Sequence, residues 1–446
     1  MDIDLHRPLQ HITGKTGWIN DPNGLIFFNG YYHIFFQYYP NDTKWGPMHW
    51  GHAITKDFRH IEYLEPALYP DEDGMCFSGI AIVKDEKLYL LYTSNIPEGD
   101  KGIQQQAIAV SRDGIHFEKQ GLIIKSDDLD LTKYDKYNFR DPCVWKHHEH
   151  YYLLVAVKKL ESTSNILMFK SYDLFKWEFV SEILEKDATG EMIECPDYND
   201  NLGLLMYSEP FSKSEAEKHL NLHTNSYALG HINYETGKFE ITHEDIADYG
   251  FDFYSSHSFK EYSVMLAWMD MWGRNNPTEK YGFAGMLTCP RKLSIKDGRL
   301  YQSPILNGEL QDIRLDQQRI ETKMYNGYFE IEMHNCSSFK ILFNKGKEHY
   351  TSLEFSNDKL IFDRSHCGTE ITGEEKDELS LKGIRVMPIE KSDYHKLIVC
   401  IDYYSIEVFM DGYSMTNTMF YNDGDDILEI TMDARKSIFR KHLLSN

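Results

Sequence analysis

Helix-forming stretches are scarce in this 446-residue chain. The best is 212–219, where Ser214 and Glu217 have the spacing of a capping box, and it reads as loop decoration. Cysteine is equally sparse. The seven thiols are odd in number, scattered and without any C-x-x-C, which argues for reduced cysteines against a disulfide framework or a zinc site. Positive charge is in deficit, 47 Lys and Arg against 70 Asp and Glu, for a net charge of -23. Nucleic acid and anionic membrane surfaces are repelled by such a chain at long range, so neither is expected as a partner. No apolar run approaches the ~20 residues of a membrane span, and Met1-Asp2-Ile3-Asp4-Leu5 shows no basic stretch followed by an apolar one. A cytoplasmic location is the expectation.

What the chain has is aromatic side chains, 14% of all residues with 30 Tyr and 25 Phe, which favour strands. Five apolar, aromatic-rich strand candidates (31–38, 88–93, 151–157, 202–208 and 262–268) start 57, 63, 51 and 60 residues apart. A period of that length, built of short strands and polar turns, is the mark of propeller blades, and five periods predict five blades. A second repeat runs in phase: Thr55-Lys56-Asp57, Ser111-Arg112-Asp113 and Ser171-Tyr172-Asp173, each followed by a large apolar side chain at Ile61, Phe117 or Trp177. There the Asp carboxylate is expected to accept backbone N–H groups in a turn that precedes an outer strand. After Leu293 the repeat stops, and period-two alternation from about Arg319 onward reads as an antiparallel sandwich. The fold expected is therefore all-β, a five-bladed propeller over 1–305, a linker over 306–318 and a β-sandwich over 319–446.

Three carboxylates stand in unusual settings: Asp21 in Trp18-Ile19-Asn20-Asp21-Pro22-Asn23-Gly24, Asp141 between Arg140 and Pro142, and Glu194 among Met192, Ile193 and Cys195. The apolar neighbours of Glu194 predict a raised pKa, whereas hydrogen bonds and a guanidinium are expected to keep Asp21 and Asp141 ionised. One ionised and one protonated carboxyl group is the division that glycoside hydrolysis uses. Asn-Asp-Pro-Asn-Gly is also ordinary turn chemistry, so the stretch alone does not decide the matter.

The ordered series Asn20-Asp21-Pro22-Asn23-Gly24, Phe36-Gln37-Tyr38, Trp50-Gly51-His52-Ala53, Phe77-Ser78-Gly79, Arg140-Asp141-Pro142, Glu194-Cys195-Pro196-Asp197 and Asp248-Tyr249-Gly250-Phe251-Asp252-Phe253-Tyr254 resembles the motifs of the invertase-like β-fructosidases, glycoside hydrolase family 32. The likeness continues into the tail at Phe362-Asp363-Arg364-Ser365 and Ser405-Ile406-Glu407-Val408-Phe409. What the resemblance implies is a retaining β-fructofuranosidase acting on sucrose, sucrose 6-phosphate or short fructans in the axial funnel of the propeller. It assigns Asp21 as nucleophile, Glu194 as acid and base, and Asp141 as transition-state stabiliser, with Arg140 tuning the neighbouring acids. Trp18, Asn20, Gln37, Trp45, Phe77, Ser78 and Trp268 fall at positions that line the fructose pocket. Retention implies that the Asp21 and Glu194 carboxyl groups stand ~5 to 5.5 Å apart. No cofactor or metal is implied, the partner is a small sugar, and the sandwich offers surface for pairing between copies.

This chain departs from the family pattern at Gly14, at Ser255-Ser256-His257, where His257 is expected at the funnel rim, and at Tyr403-Tyr404. For any single Trp the default is core packing, and for Cys195 a small buried hydrophobe. The runs His147-His148-Glu149-His150 and His49-x-x-His52 invite a metal, but adjacent strand residues point to opposite faces. Two alternatives remain open: transfer of fructose to another sugar through the same intermediate, and a non-catalytic sugar-binding propeller.

Overall fold

The computed structural model describes residues 6–161, 163–187, 191–306, 310–313, 319–373, 376–422 and 424–443. Five blades of four antiparallel strands follow one another along the first two-thirds of the chain, the first sheet gaining a short fifth strand in parallel. Blade one is built of Gly17–Phe28, Tyr31–Tyr39, His49–Thr55 and Glu62–Tyr63, and blade two of Met75–Lys84, Lys87–Glu98, Lys101–Ser111 and Glu118–Ile124. Blade three runs Tyr134–His147, His150–Lys159, Thr163–Ser171 and Glu178–Asp187, and blade four Glu194–Asn199, Leu204–Pro210, His223–Asn233 and Lys238–Ile246. Blade five comprises Tyr254–Phe259, Val264–Trp268, Arg291–Lys296 and Arg299–Pro304. Each of the five expected strands falls on the second strand of a blade. Apolar side chains on the facing surfaces of neighbouring blades form a separate core at each junction, for example Phe35, Trp50 and Leu90 between blades one and two. The ring closes where Phe36 and Ile19 meet Phe259 and Leu266 of blade five, and where Phe283–Ala284 pairs in parallel with Gly17 and Trp18.

The three repeated turns share one geometry. Asp57, Asp113 and Asp173 each accept two backbone N–H groups at 2.8 to 2.9 Å, while Thr55, Ser111 and Ser171 accept a third at 2.9 to 3.0 Å. That third donor sits at positive φ in every case, Phe58, Gly114 and Leu174. The tight turn is thus held by side chains where the backbone is least comfortable.

The sandwich is built on two long partners, Gly327–Lys345 and Ile427–Leu443, around Phe329, Ile341, Leu353, Val399 and Val408. The polar break at Asn335 to Ser338 is a bulge inside one continuous strand. Most of the expected linker lies outside the described residues, and Leu310–Ile313 within it is a strand paired to the last strand. Residues 212–219 are not helical: Glu215 and Lys218 form an isolated bridge, Ser214 Oγ donates to the His219 carbonyl at 2.9 Å, and Glu217 pairs with Lys359. Among the described residues no helix is long and apolar enough to cross a membrane.

Propeller and sandwich meet through buried charge. Tyr249 and Asp252 donate backbone N–H groups to the Ser414 and Thr416 carbonyls at 2.9 and 3.0 Å, and a Cβ on Gly250 would stand 2.2 Å from the Thr416 backbone. Only glycine allows that approach. The stretch Asp248 to Tyr254 therefore docks the sandwich with its first half and reaches the propeller axis with its last residue.

Candidate active site

All five innermost strands carry the same irregularity. Two residues of the first strand stand against one of the second between Ile19 and Pro22, Cys76 and Gly79, Arg140 and Cys143, Glu194 and Asp197, and Tyr254 and His257. The extra residue leaves local N–H groups without ladder partners and re-aims side chains toward the axis. Asp141, Cys195 and Ser255 take positive φ there. Side chains of the preceding blade accept two of the freed donors, Thr93 Oγ1 from Asp141 at 2.9 Å and Ser208 Oγ from Ser255 at 3.0 Å, while Ser164 Oγ accepts from Ile193, just before the blade-four bulge, at 2.9 Å. Thr93 is fixed in turn by Gln106 at 2.9 Å. The blades thereby set one another's bulges, and these place the acids.

Asp21, Asp141 and Glu194 converge. Ser78 Oγ donates to Asp21 Oδ2 at 2.6 Å, and Asp21 Oδ1 is buried without a partner. Cys195 joins the two aspartates, its N–H 3.0 Å from Asp141 Oδ2 and its Sγ 3.5 Å from that oxygen and 3.6 Å from Asp21 Oδ2. Ser255 Oγ lies 2.8 Å from the same sulfur. Arg140 donates through Nη2 to Glu194 Oε1 at 2.7 Å and is steadied by Gln104 Oε1 at 3.1 Å, while the Tyr254 hydroxyl donates to Glu194 Oε2. Arg140 Nε stays 4.0 Å from Asp141.

This arrangement reverses the charge distribution expected from sequence neighbours. Burial pushes Glu194 up, but the Arg140 charge and the hydrogen bonds from Tyr254 and Arg140 outweigh it and hold the group below its ordinary value. Burial pushes Asp141 up to about 7, opposed by Arg140 and aided by Glu194 and Asp21. Asp21 is raised by burial and by Glu194, against the bonds from Ser78 and Asn20. The neighbours that decide are those in space, and Arg140 lies 54 residues from Glu194 in the chain.

The other sequence candidates take distinct places. Trp18 Nε1 donates to Asn20 Oδ1 at 2.9 Å, and Gln37 Nε2 donates to the Cys76 carbonyl at 3.0 Å. Trp45 is 45% exposed and stands edge-on to Phe77, so its ring faces solvent. Trp268 has no exposed surface; it backs Trp18 at 5.7 Å and leaves its indole N–H without a partner. Trp272, which drew no notice in the sequence, stacks on Trp18 at 5.6 Å. His257 is not at the rim. The bulge at Ser255 and Ser256 turns it inward, 1% exposed, toward the Pro22 backbone beside Asp21. His52 packs on Phe35 and His33, and among the described residues no three His, Cys, Asp or Glu side chains group to hold a metal. Sequence reasoning also missed Thr93 and Gln104, which carry no signal beyond their place in strands of another blade, and marked Ser255 only as a departure from the family pattern.

Carboxylates gathered with one guanidinium on the axis of a five-bladed propeller define a glycoside hydrolase. Residues 11–304 match the glycosyl hydrolases family 32 N-terminal domain and 299–441 the family's C-terminal domain, and the chain belongs to that family. It is 32% identical to a sucrose-6-phosphate hydrolase of Zymomonas mobilis subsp. mobilis, over 92% of this chain and 86% of that protein. A raffinose invertase of Escherichia coli is also 32% identical, over 94% and 90%. Among solved structures, the sucrose-6-phosphate hydrolase from Lactobacillus gasseri superposes with a TM-score of 0.87 at 25% identity, covering 99% of this chain and 93% of that one. The Bombyx mori β-fructofuranosidase solved with sucrose gives 0.81 at 26% identity, covering 99% and 94%.

Proposed function

We propose that the chain is a retaining β-fructofuranosidase that hydrolyses terminal β-D-fructofuranosides such as sucrose, sucrose 6-phosphate or short fructo-oligosaccharides. The observation that carries this reading is the convergence of Asp21, Asp141 and Glu194 at bulged inner strands, with Arg140 on the acid. Asp21, held through Oδ2 and free at Oδ1, attacks the anomeric carbon and forms a fructosyl ester. Glu194 protonates the leaving oxygen and then removes a proton from the water that cleaves the ester. Asp141 supplies negative charge beside the oxocarbenium-like transition state. Trp18 and Asn20, braced by Trp268 and Trp272, and Gln37 and Ser78 shape the pocket around fructose, with Phe77 and Trp45 at its mouth.

The acid needs a proton that Arg140 and Tyr254 discourage. Sugar binding corrects this in two ways. It covers the 21% of the Glu194 side chain that is exposed, which raises that group by desolvation. It also brings hydroxyl donors to Asp21 and Asp141, which lowers theirs, so both changes move the proton to Glu194. The test is to follow sucrose cleavage by NMR: the first fructofuranose formed is expected to be the β-anomer, and α as first product would overturn the retaining assignment. Glucose released in excess of free fructose would point to transfer in place of hydrolysis.

A further inference from the structure

Each inner-strand bulge lends a polar side chain to the axis: Asp21, Ser78, Asp141, Cys195 and Ser255 in chain order. Ser78 touches Asp21, and Cys195 touches both aspartates, whereas Ser255 reaches them through sulfur. Its Oγ stands 2.8 Å from Cys195 Sγ, which is 3.6 Å from Asp21 Oδ2 and 3.5 Å from Asp141 Oδ2. Ser255 is fully buried and lies in a stretch where this chain departs from the family pattern. Its backbone is pinned on both sides. Ser208 Oγ accepts the Ser255 N–H at 3.0 Å and Asn225 Oδ1 accepts that of Ser256 at 2.8 Å, so a residue at positive φ aims its hydroxyl at the thiol.

Hydrogen placement gives this contact a direction. Burial and the charges of Asp141, Asp21 and Glu194 push the Cys195 thiol well above its ordinary pKa, so the sulfur keeps its hydrogen. An ionised carboxylate can only accept, and Asp21 must be ionised to attack. The thiol hydrogen therefore goes to the aspartates, and Ser255 donates to the sulfur. The reverse order, thiol to hydroxyl, would set sulfur lone pairs against two carboxylate oxygens. In the order hydroxyl, thiol, carboxylate, each bond polarises the next and strengthens the thiol as a donor. Asp21 has a particular use for it: burial and Glu194 raise that group, and hydrogen bonds oppose them.

We propose that Ser255 is a positioning residue for the nucleophile, its hydroxyl holding the Cys195 thiol as a shared hydrogen-bond donor to Asp21 and Asp141. The inference rests on the β-fructofuranosidase reading and adds a residue to it. Arg140, Glu194, Tyr254 and His257 also face the aspartates, and the test leaves all four in place. It follows kcat/KM for sucrose against pH in the parent chain, Ser255→Ala, Cys195→Ala and the double variant. Ser255→Gly is a second way to remove the hydroxyl, since glycine accepts the positive φ. Loss of a donor to a charged carboxyl group raises its pKa, so the acidic limb is expected to move up by about one unit in both Ser255 variants. In the Cys195→Ala background the same change should add nothing. The S–H stretching band of Cys195, identified in the infrared by its loss in Cys195→Ala, should shift to higher frequency in Ser255→Ala. An acidic limb that stays fixed in both Ser255 variants, or that moves equally with and without the thiol, would overturn the positioning role. Absence of sucrose cleavage by the parent chain would instead sink the β-fructofuranosidase reading. The infrared band then decides the Ser255 contact by itself, a fixed band overturning it.

Discussion

Two clusters of buried charge organise this molecule, one on the propeller axis and one between propeller and sandwich, and they treat their acids in opposite ways. At the junction Arg291 donates to Asp248 at 3.0 Å and to Glu407 at 2.5 Å, while His11 bridges Asp402 and Glu407 at 2.8 Å each. Arg274 and Arg364 both hold Asp252. Every one of these acids touches a cation. On the axis three carboxylates share Arg140, which hydrogen-bonds Glu194 at 2.7 Å and stands 4.0 Å from Asp141. Burial pushes Glu407 up, yet Arg291 and His11 bring it to about 2, whereas Asp21 and Asp141, no less buried, are raised. Burial alone therefore does not set the charge of an acid. The fold supplies donors where it needs a joint and withholds them where a substrate is to supply them.

The sharpest way to break this contrast is at Asp21. Asp21→Asn removes the proposed nucleophile and one of three crowded charges, so turnover of sucrose is expected to fall about 10⁴-fold or more. The melting temperature should hold or rise, because no cation loses its partner. A clear drop in melting temperature would place the axial acids in the same structural class as the junction. The converse change is Arg291→Met, which leaves Asp248 and Glu407 buried without their guanidinium and should cost about 3–5 kcal/mol of stability. Urea unfolding followed by circular dichroism measures it, and a loss below about 1 kcal/mol would show that the junction charges are dispensable.

A smaller effect tests how His11 takes part. Burial lowers its pKa, but the bonds and charges of Asp402 and Glu407 prevail and raise it from 6.5 to about 10. A raised folded-state value means that folding favours the protonated ring. The stabilisation is fully present below the unfolded value of 6.5 and is lost as pH climbs through about 10. The stability of the parent chain should therefore decline between these pH values relative to His11→Gln, as read from urea midpoints across the range. A constant difference would mean that the imidazole is neutral and acts by hydrogen bonding alone.

The contrast also explains what could be read in advance. The second strand of each blade is regular and apolar, and the Asp57, Asp113 and Asp173 turns close on themselves within a few residues, so both are visible in local sequence. The inner strand Gly17–Phe28 is buried along most of its length and bulged, and its Asn, Pro and Gly residues imitate a turn. The acids themselves were legible through the family motifs. Their charge state was not, because Arg140, Glu194 and Tyr254 come from three blades that meet only on closure. His257 failed for a related reason: one extra residue in a bulge exchanges inside for outside, and nothing local announces it.

The smallest predicted effect lies where the sandwich-docking stretch reaches the axial cluster. Tyr254 closes the stretch whose first half docks the sandwich, and its hydroxyl donates to Glu194, favouring the carboxylate. Tyr254→Phe removes that donor and leaves Arg140 in place. The ionised acid is then less favoured, Glu194 keeps its proton to higher pH, and the alkaline limb of kcat/KM should move up by about one unit. The acidic limb, which reports ionisation of the nucleophile, should move less, since Tyr254 donates to Glu194 and Ser78 donates to Asp21. An alkaline limb that stays fixed or moves down would mean that Arg140 alone sets the acid, and that the sandwich-docking stretch ends short of the chemistry.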